Sequence, residues 1–212
     1  MTVVVRERAT ACDAGVGTFV LVGGVPGAGK STALARVAGC RPGVRVLDSE
    51  AARRDLRGRV PRGVPYGVYR PVVHVRHLAG VVRAVLGGPR ERGGEGVLVV
   101  HDPATSRVRR WWWACLARRA GWRPVLVMVD VGRGEALSGQ EARGRVVRGR
   151  AFARHWRRWA AQRAGLLAAS GGSREGSAAG WSQVHVVGRG EAVSVLVGVV
   201  DAAPPVGVRG AR

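Results

Sequence analysis

The segment that most constrains this chain is Gly24-Val25-Pro26-Gly27-Ala28-Gly29-Lys30-Ser31-Thr32, set between a short apolar run and a stretch of helical periodicity. It fits G-x-x-x-x-G-K-[ST], the pattern of a phosphate-binding loop. Multiplying residue frequencies makes a chance match along the chain roughly a one-in-a-thousand event. Thr18-Phe19-Val20-Leu21-Val22 reads as a buried strand, and Ser31 to Gly39 carries Leu34, Val37 and Ala38 at helical spacing. Strand, glycine-rich loop and helix thus come in the order the pattern requires. Glycines permit positive φ and bring backbone N–H groups against phosphate oxygens, while the helix N-terminus adds the positive end of its dipole. The whole segment Gly24 to Thr32 is therefore expected to hold ATP, with Lys30 reaching the β- and γ-phosphates and the Ser31 hydroxyl as a Mg²⁺ ligand.

Composition makes Lys30 stand out further. It is the only lysine, the other 34 of 35 cations being arginine, in a chain with no isoleucine and no asparagine. That is the bias of a GC-rich coding sequence, and it gives the net charge of +21 a compositional source beside the alternative of a polyanion-binding face. A compact ammonium on a flexible stem does what a planar guanidinium cannot do equivalently at the phosphates, which explains why this position has escaped the drift to arginine.

The 212 residues suit one domain, read as 18–201 between an N-terminal extension, 1–17, and a mobile tail, 202–212. Apolar runs such as Val125 to Val129 fall far short of the roughly 20 residues of a membrane helix. Cys12, Cys40 and Cys115 show no pairing or metal-ligand pattern, and no secretory leader is legible near Met1. The expected setting is cytoplasmic, with no membrane partner.

Guanine-reading GTPases use an Asn-Lys-x-Asp motif, which a chain without asparagine cannot carry. Leu137-Ser138-Gly139-Gln140 lacks one glycine of the ABC-transporter signature and is set aside as coincidence. Motor ATPases and helicases need an acidic pair after a strand, whereas Val97-Leu98-Val99-Val100-His101-Asp102-Pro103 supplies one Asp and no Glu. A small kinase fits best.

Through the loop and Val44-Arg45-Val46-Leu47-Asp48, the sequence resembles the P-loop kinase family that includes the polynucleotide, zeta-toxin-like, chloramphenicol and gluconate kinases. The resemblance covers about Thr18 to Val200. It implies a P-loop NTPase fold, α/β, with a five-stranded parallel sheet in the order 2-3-1-4-5 and helices on both faces. It also implies that Asp48 sits near the acceptor hydroxyl and that an arginine-bearing lid, about 138–150, covers the phosphates. Arg145 and Arg148 would be its cationic fingers and Arg143 a nucleotide contact.

The residues themselves support the same parts list. Phosphoryl transfer needs a cradle, a metal, cations for the equatorial oxygens and a carboxylate for the acceptor's proton. Asp48 is the candidate base, and Asp102 would hold Mg²⁺ through water or share in orienting the acceptor. Each has a plainer reading, Asp48-Ser49 as a helix cap and Asp102-Pro103 as a turn. His74, His77 and His101 read as rim or core residues rather than ligands.

Strands are expected at Phe19–Gly23, Val44–Asp48, Gly96–His101, Pro124–Asp130 and Gln183–Val187, alternating with helices, which implies a parallel sheet. Pro61 to Pro71 reads as a loop and a candidate acceptor lid, followed by a helix from His74 to Leu86. Trp111-Trp112-Trp113 fan around a helix, so at least one packs on the sheet. Phe152, Trp156, Trp159 and Leu166 or Leu167 form a core stripe. Three functions stay open: an ATP-dependent kinase acting on a hydroxyl-bearing small molecule, an ATP-driven switch acting on a protein partner, and a nucleic-acid 5′-hydroxyl kinase.

Overall fold

A computed structural model describes residues 17–38, 43–89, 96–142, 149–170 and 180–203. The order is β1 (Thr18–Gly24), α1 (Lys30–Val37), β2 (Val44–Leu47), α2 (Ser49–Arg59), α3 (Tyr66–Leu86) and β3 (Val97–His101). Then follow α4 (Arg107–Arg119), β4 (Arg123–Val129), α5 (Arg133–Glu141), α6 (Gly149–Ser170), β5 (Gln183–Val187) and α7 (Ala192–Asp201). All strand pairs are parallel and the sheet order is β2-β3-β1-β4-β5, the arrangement that the resemblance implies.

The central strand explains the order. Every residue of β1 is buried, so it needs a partner on each edge and a helix layer on each face. Its partners are β3, with Thr18 opposite Val97, and β4, with Thr18 opposite Arg123. Phe19 anchors the core between Trp181, stacked at 6.5 Å, and Trp113, tilted at 6.1 Å. Trp113 is the inward member of the tryptophan run, 1% exposed against 54% for Trp111 and 41% for Trp112. Phe152, Trp159 and Leu166 are buried along α6, with Trp156 partly so, and the expected stripe is core.

The segment expected as a loop from Pro61 to Pro71 is helical from Tyr66 onward. Pro71 lies inside α3, where it withholds an N–H from the carbonyl of Gly67 and crowds it. Gly67 has open space where a Cβ would stand. Burial of Tyr69 and Val73, one turn apart at 7% and 0% exposure, ties the first turns to the rest of the molecule and outweighs the proline. At the far end of the chain Ala203, just after α7, is buried, so the packed region extends past residue 201.

Among the described residues no helix is long and apolar enough to cross a membrane, and no group of three or more His, Cys, Asp or Glu could hold a metal ion.

Candidate active site

Parallel strands deliver their carboxyl ends to one edge, and the loop after β1 opens there. Gly24, Gly27 and Gly29 have φ of 140°, 90° and 96°, values that favour glycine. At Gly27 the need is also steric, since a Cβ would stand 1.9 Å from the Ala136 carbonyl oxygen of α5. Helix α1 starts at Lys30 behind Gly29, with no side-chain cap on its first turn and no acidic residue there. No side chain therefore blocks the mouth of the helix, where the positive end of its dipole favours an anion. Lys30, 6% exposed, folds back over the loop and donates from Nζ to the carbonyls of Gly24 at 2.7 Å and Val25 at 2.8 Å. A cleft of about 200 Å³ opens beside Lys30 and Ser31 and reaches His101, Pro103, Gly139 and Gln140. The Ser31 hydroxyl has no hydrogen-bond partner among the described residues. Positive backbone, a folded-back ammonium and an uncommitted hydroxyl on one cleft suit a nucleotide's phosphates and the cation they carry.

Asp48 follows β2. Its carboxylate caps α2 through the Glu50 N–H at 3.2 Å and meets His101 Nδ1 at 2.6 Å. Burial pushes its pKa up, but the His101 hydrogen bond and charge, the Glu50 N–H and the charge of His77 outweigh that, and it is lowered to about 2. The cap reading of Asp48 is realised, and the same carboxylate remains 19% exposed beside a histidine that lines the cleft. His77 bonds through Nε2 to the His101 backbone oxygen at 3.1 Å, fixing the strand end from the α3 side.

Asp102 is 4% exposed. One oxygen accepts the Ala104 N–H at 2.8 Å, and the other takes Arg109 Nε at 2.7 Å and its terminal nitrogen at 2.5 Å. The turn reading is therefore realised here too, and Ala104 holds a positive φ of 51°. Arg110, buried without a carboxylate, donates to Ala104 O at 2.7 Å and to Gln162 Oε1 at 2.7 Å, and Gln162 donates to Thr105 O. Burial, with the nearby charge of Arg107, lowers the Arg110 pKa to about 10, which leaves it charged at neutral pH as a clamp on residues 104–105. Asp130, at the end of β4, is turned to α6, where Trp159 Nε1 and Arg163 bind it.

Three further residues support the site from outside the motifs. Gln140 donates to Pro26 O at 3.3 Å. Arg189, after β5, donates to Gly27 O at 2.8 Å and to Glu135 O at 3.0 Å. Arg109 neutralises Asp102. The lid arginines Arg143, Arg145 and Arg148 lie outside the described residues. His155, on α6, reaches the residues after β3. Its Nδ1 meets Thr105 Oγ1 at 3.1 Å, and burial, then Lys30 and nearby arginines, lower its pKa.

A family model described as an AAA domain matches residues 19–167. The chain belongs to the AAA domain family. That match spans the loop, the Asp48 and Asp102 strand ends and most of α6, and it upholds the likeness to small P-loop kinases. Two solved structures share the fold. One is a gluconokinase from Sinorhizobium meliloti, 17% identical over 90% of this chain and 95% of its own, with a TM-score of 0.50. The other is Kti12 from Chaetomium thermophilum in complex with ADP-AlF3, 14% identical over 87% and 98%, with a TM-score of 0.52. A structure from the PezAT toxin-antitoxin system of Streptococcus pneumoniae aligns at 16% identity and TM-score 0.47, over 61% of this chain and 53% of that one. No curated protein matches the sequence.

Proposed function

We propose that the protein is an ATP-dependent phosphotransferase that moves the γ-phosphate of ATP to a hydroxyl acceptor. The observation that carries this reading is the Asp48 carboxylate, hydrogen-bonded to His101, whose residue lines the same cleft as Lys30 and Ser31. The loop amides and Lys30 hold the phosphates. Asp48 accepts a hydrogen bond from the acceptor hydroxyl. As the acceptor oxygen bonds to the γ-phosphorus and the bridging oxygen leaves with ADP, the hydroxyl proton passes to Asp48. A carboxylate with a pKa of about 2 is ionised throughout the neutral range, so it orients the hydroxyl early and receives its proton late. Ser31 would hold Mg²⁺, which when bound neutralises charge on the β- and γ-oxygens. Asp102 keeps lone pairs beyond those used by Ala104 and Arg109, enough for a water-bridged contact to that ion. Arg145 and Arg148 would act as fingers on the transferring phosphoryl group, and Arg143 as a contact to the nucleotide.

A second reading, an ATP-driven switch on a protein partner, is favoured by the exposed Val68, Val72 and Val75 of α3 and Val108 and Trp111 of α4, apolar surface of the kind partners cover. A labelled γ-phosphate transfer screen separates the two. It offers pooled small hydroxyl compounds in one arm and 5′-hydroxyl DNA and RNA in another, with Lys30→Ala as control. Lys30-dependent label in one pool supports the phosphotransferase, and release to water alone supports the switch.

A further inference from the structure

A second cleft, of about 550 Å³, opens between α2 and the start of α3, one helical turn along α2 from Asp48. Its α2 wall is Glu50, Arg53, Arg54 and Arg57, spaced i, i+3, i+4, i+7, which is one face of a helix. Its other wall includes Tyr66 and Tyr69, packed edge to face at 5.3 Å. Three guanidinium groups therefore share a pocket with one carboxylate.

The excess is local to this face. Asp55, elsewhere on α2, is matched by Arg59 at 3.1 Å and Arg76 at 3.2 Å. In the cleft, Glu50 pairs with Arg53 at 3.4 Å, and the Arg53 guanidinium lies 4.4 Å from the centre of the Tyr66 ring. Arg57 donates only to the Val64 carbonyl, at 3.3 Å, and Arg54 has no hydrogen-bond or ionic partner among the described residues. Helix α3 presents its N-terminus to the same cleft with no side-chain cap and no acid in its first turn, adding partial positive charge. Neither tyrosine hydroxyl has a hydrogen-bond partner among the described residues.

We infer that this cleft is the acceptor subsite, and that the acceptor is a small hydroxyl compound carrying a phosphate or carboxylate group, gripped by Arg54 and Arg57 with its body against Tyr66 and Tyr69. The guanidinium fork matches either anion in a bidentate fashion, and the volume is that of a small-molecule site. A polynucleotide would instead need a basic track along its strand. The word acceptor rests on the phosphotransferase reading, while the anion site does not.

The test has two arms, both on the full chain. In the first, with the nucleotide site saturated by a non-hydrolysable ATP analogue, inorganic phosphate and citrate are titrated calorimetrically. Saturable binding is expected, weakened about tenfold to a hundredfold in an Arg54→Gln, Arg57→Gln double variant. Both side chains lie on the exposed face of α2, and unchanged thermal melting confirms the variant's fold. In the second arm, transfer is measured to sugar phosphates and sugar acids, to their parent neutral sugars, and to 5′-hydroxyl oligonucleotides. The proposal expects transfer to an anionic small acceptor, with a raised KM and near-normal kcat in the double variant. Equal or better transfer to neutral sugars, preference for oligonucleotides, or a wild-type KM in the variant overturns it. Anion binding lost in the variant but no transfer to any acceptor removes the phosphotransferase reading and the acceptor role, leaving the anion site. Transfer without any anion effect removes the anion site and leaves the phosphotransferase.

Discussion

The Asp48 carboxylate and the His101 imidazole meet at 2.6 Å across the ends of neighbouring strands. The register dictates it. Leu47 of β2 stands opposite Val100 of β3, so the next residue on each strand is brought to the same edge of the sheet. Asp48→Asn keeps the size of the side chain and its capping oxygen but cannot take a proton. Transfer to the true acceptor is expected to fall about a hundredfold or more, with ATP affinity unchanged in a fluorescent-nucleotide titration. Wild-type transfer in this variant would remove Asp48 from the chemistry.

Two acid-sensitive windows follow from the pKa shifts. Burial lowers the pKa of His77, His155 and His185 below the ordinary histidine value, so the unfolded chain binds more protons and stability falls as pH drops through about 6.5. For Asp48 the folded pKa of about 2 lies below the unfolded value. Its contribution is fully present above about pH 4 and is lost as pH falls toward 2. Melting temperature should therefore decline from pH 7.5 to 5.5 and again below pH 4. His185→Leu should shrink the first decline and Asp48→Asn the second, and a flat profile across both windows would contradict the shifts.

What was legible in the sequence was whatever short-range pattern encodes. The apolar, β-branched runs gave all five strands, with Gln183–Val187 matching to the residue. The glycine spacing gave the cradle, and the helical spacing around Trp159 gave the α6 stripe. The start of α3 was missed because Pro71 is a local signal against helix, and the burial of Tyr69 and Val73 that overrides it depends on distant packing. Gln140 reaches Pro26 across 114 positions and Arg189 reaches Gly27 across 162. No window of sequence contains such pairs, and in a chain so rich in arginine neither Arg109 nor Arg189 looks different from its neighbours. The Leu137 to Gln140 segment, set aside as a coincidence of letters, lies against the loop for a packing reason. A Cβ on Gly139 would stand 2.4 Å from the Gly27 oxygen, so helix and loop touch backbone to backbone.

Lys30 ties that composition to the geometry. Its Nζ fits between the Gly24 and Val25 carbonyls while the side chain is nearly buried. A guanidinium is broader and planar, and cannot place one compact charge at both the loop and the phosphates. Lys30→Arg should therefore weaken ATP binding nearly as much as Lys30→Ala, each by about tenfold to a hundredfold, despite keeping the charge. A Lys30→Arg protein that binds ATP like wild type would show that charge alone suffices and that the lone lysine is an accident.

Gly27 and Gly63 offer a matched comparison of two sources of strain. Both have positive φ, 90° and 101°, so alanine at either place costs about 1–2 kcal/mol through the backbone alone. Around Gly63 a Cβ meets nothing within 4 Å, whereas at Gly27 it would stand 1.9 Å from the Ala136 oxygen and 3.0 Å from Gln140 Cγ. Relief there requires α5 to move off the loop, which also breaks the Gln140 bond to Pro26 and the Arg189 bond to Gly27 O. Gly63→Ala is expected to lower stability to denaturant by about the backbone cost and to leave ATP binding intact. Gly27→Ala should cost about 1–3 kcal/mol more, as overpacking does, and should lose ATP affinity as well. Equal stability for the two variants, with ATP binding retained in both, would mean that α5 does not press on the loop in solution.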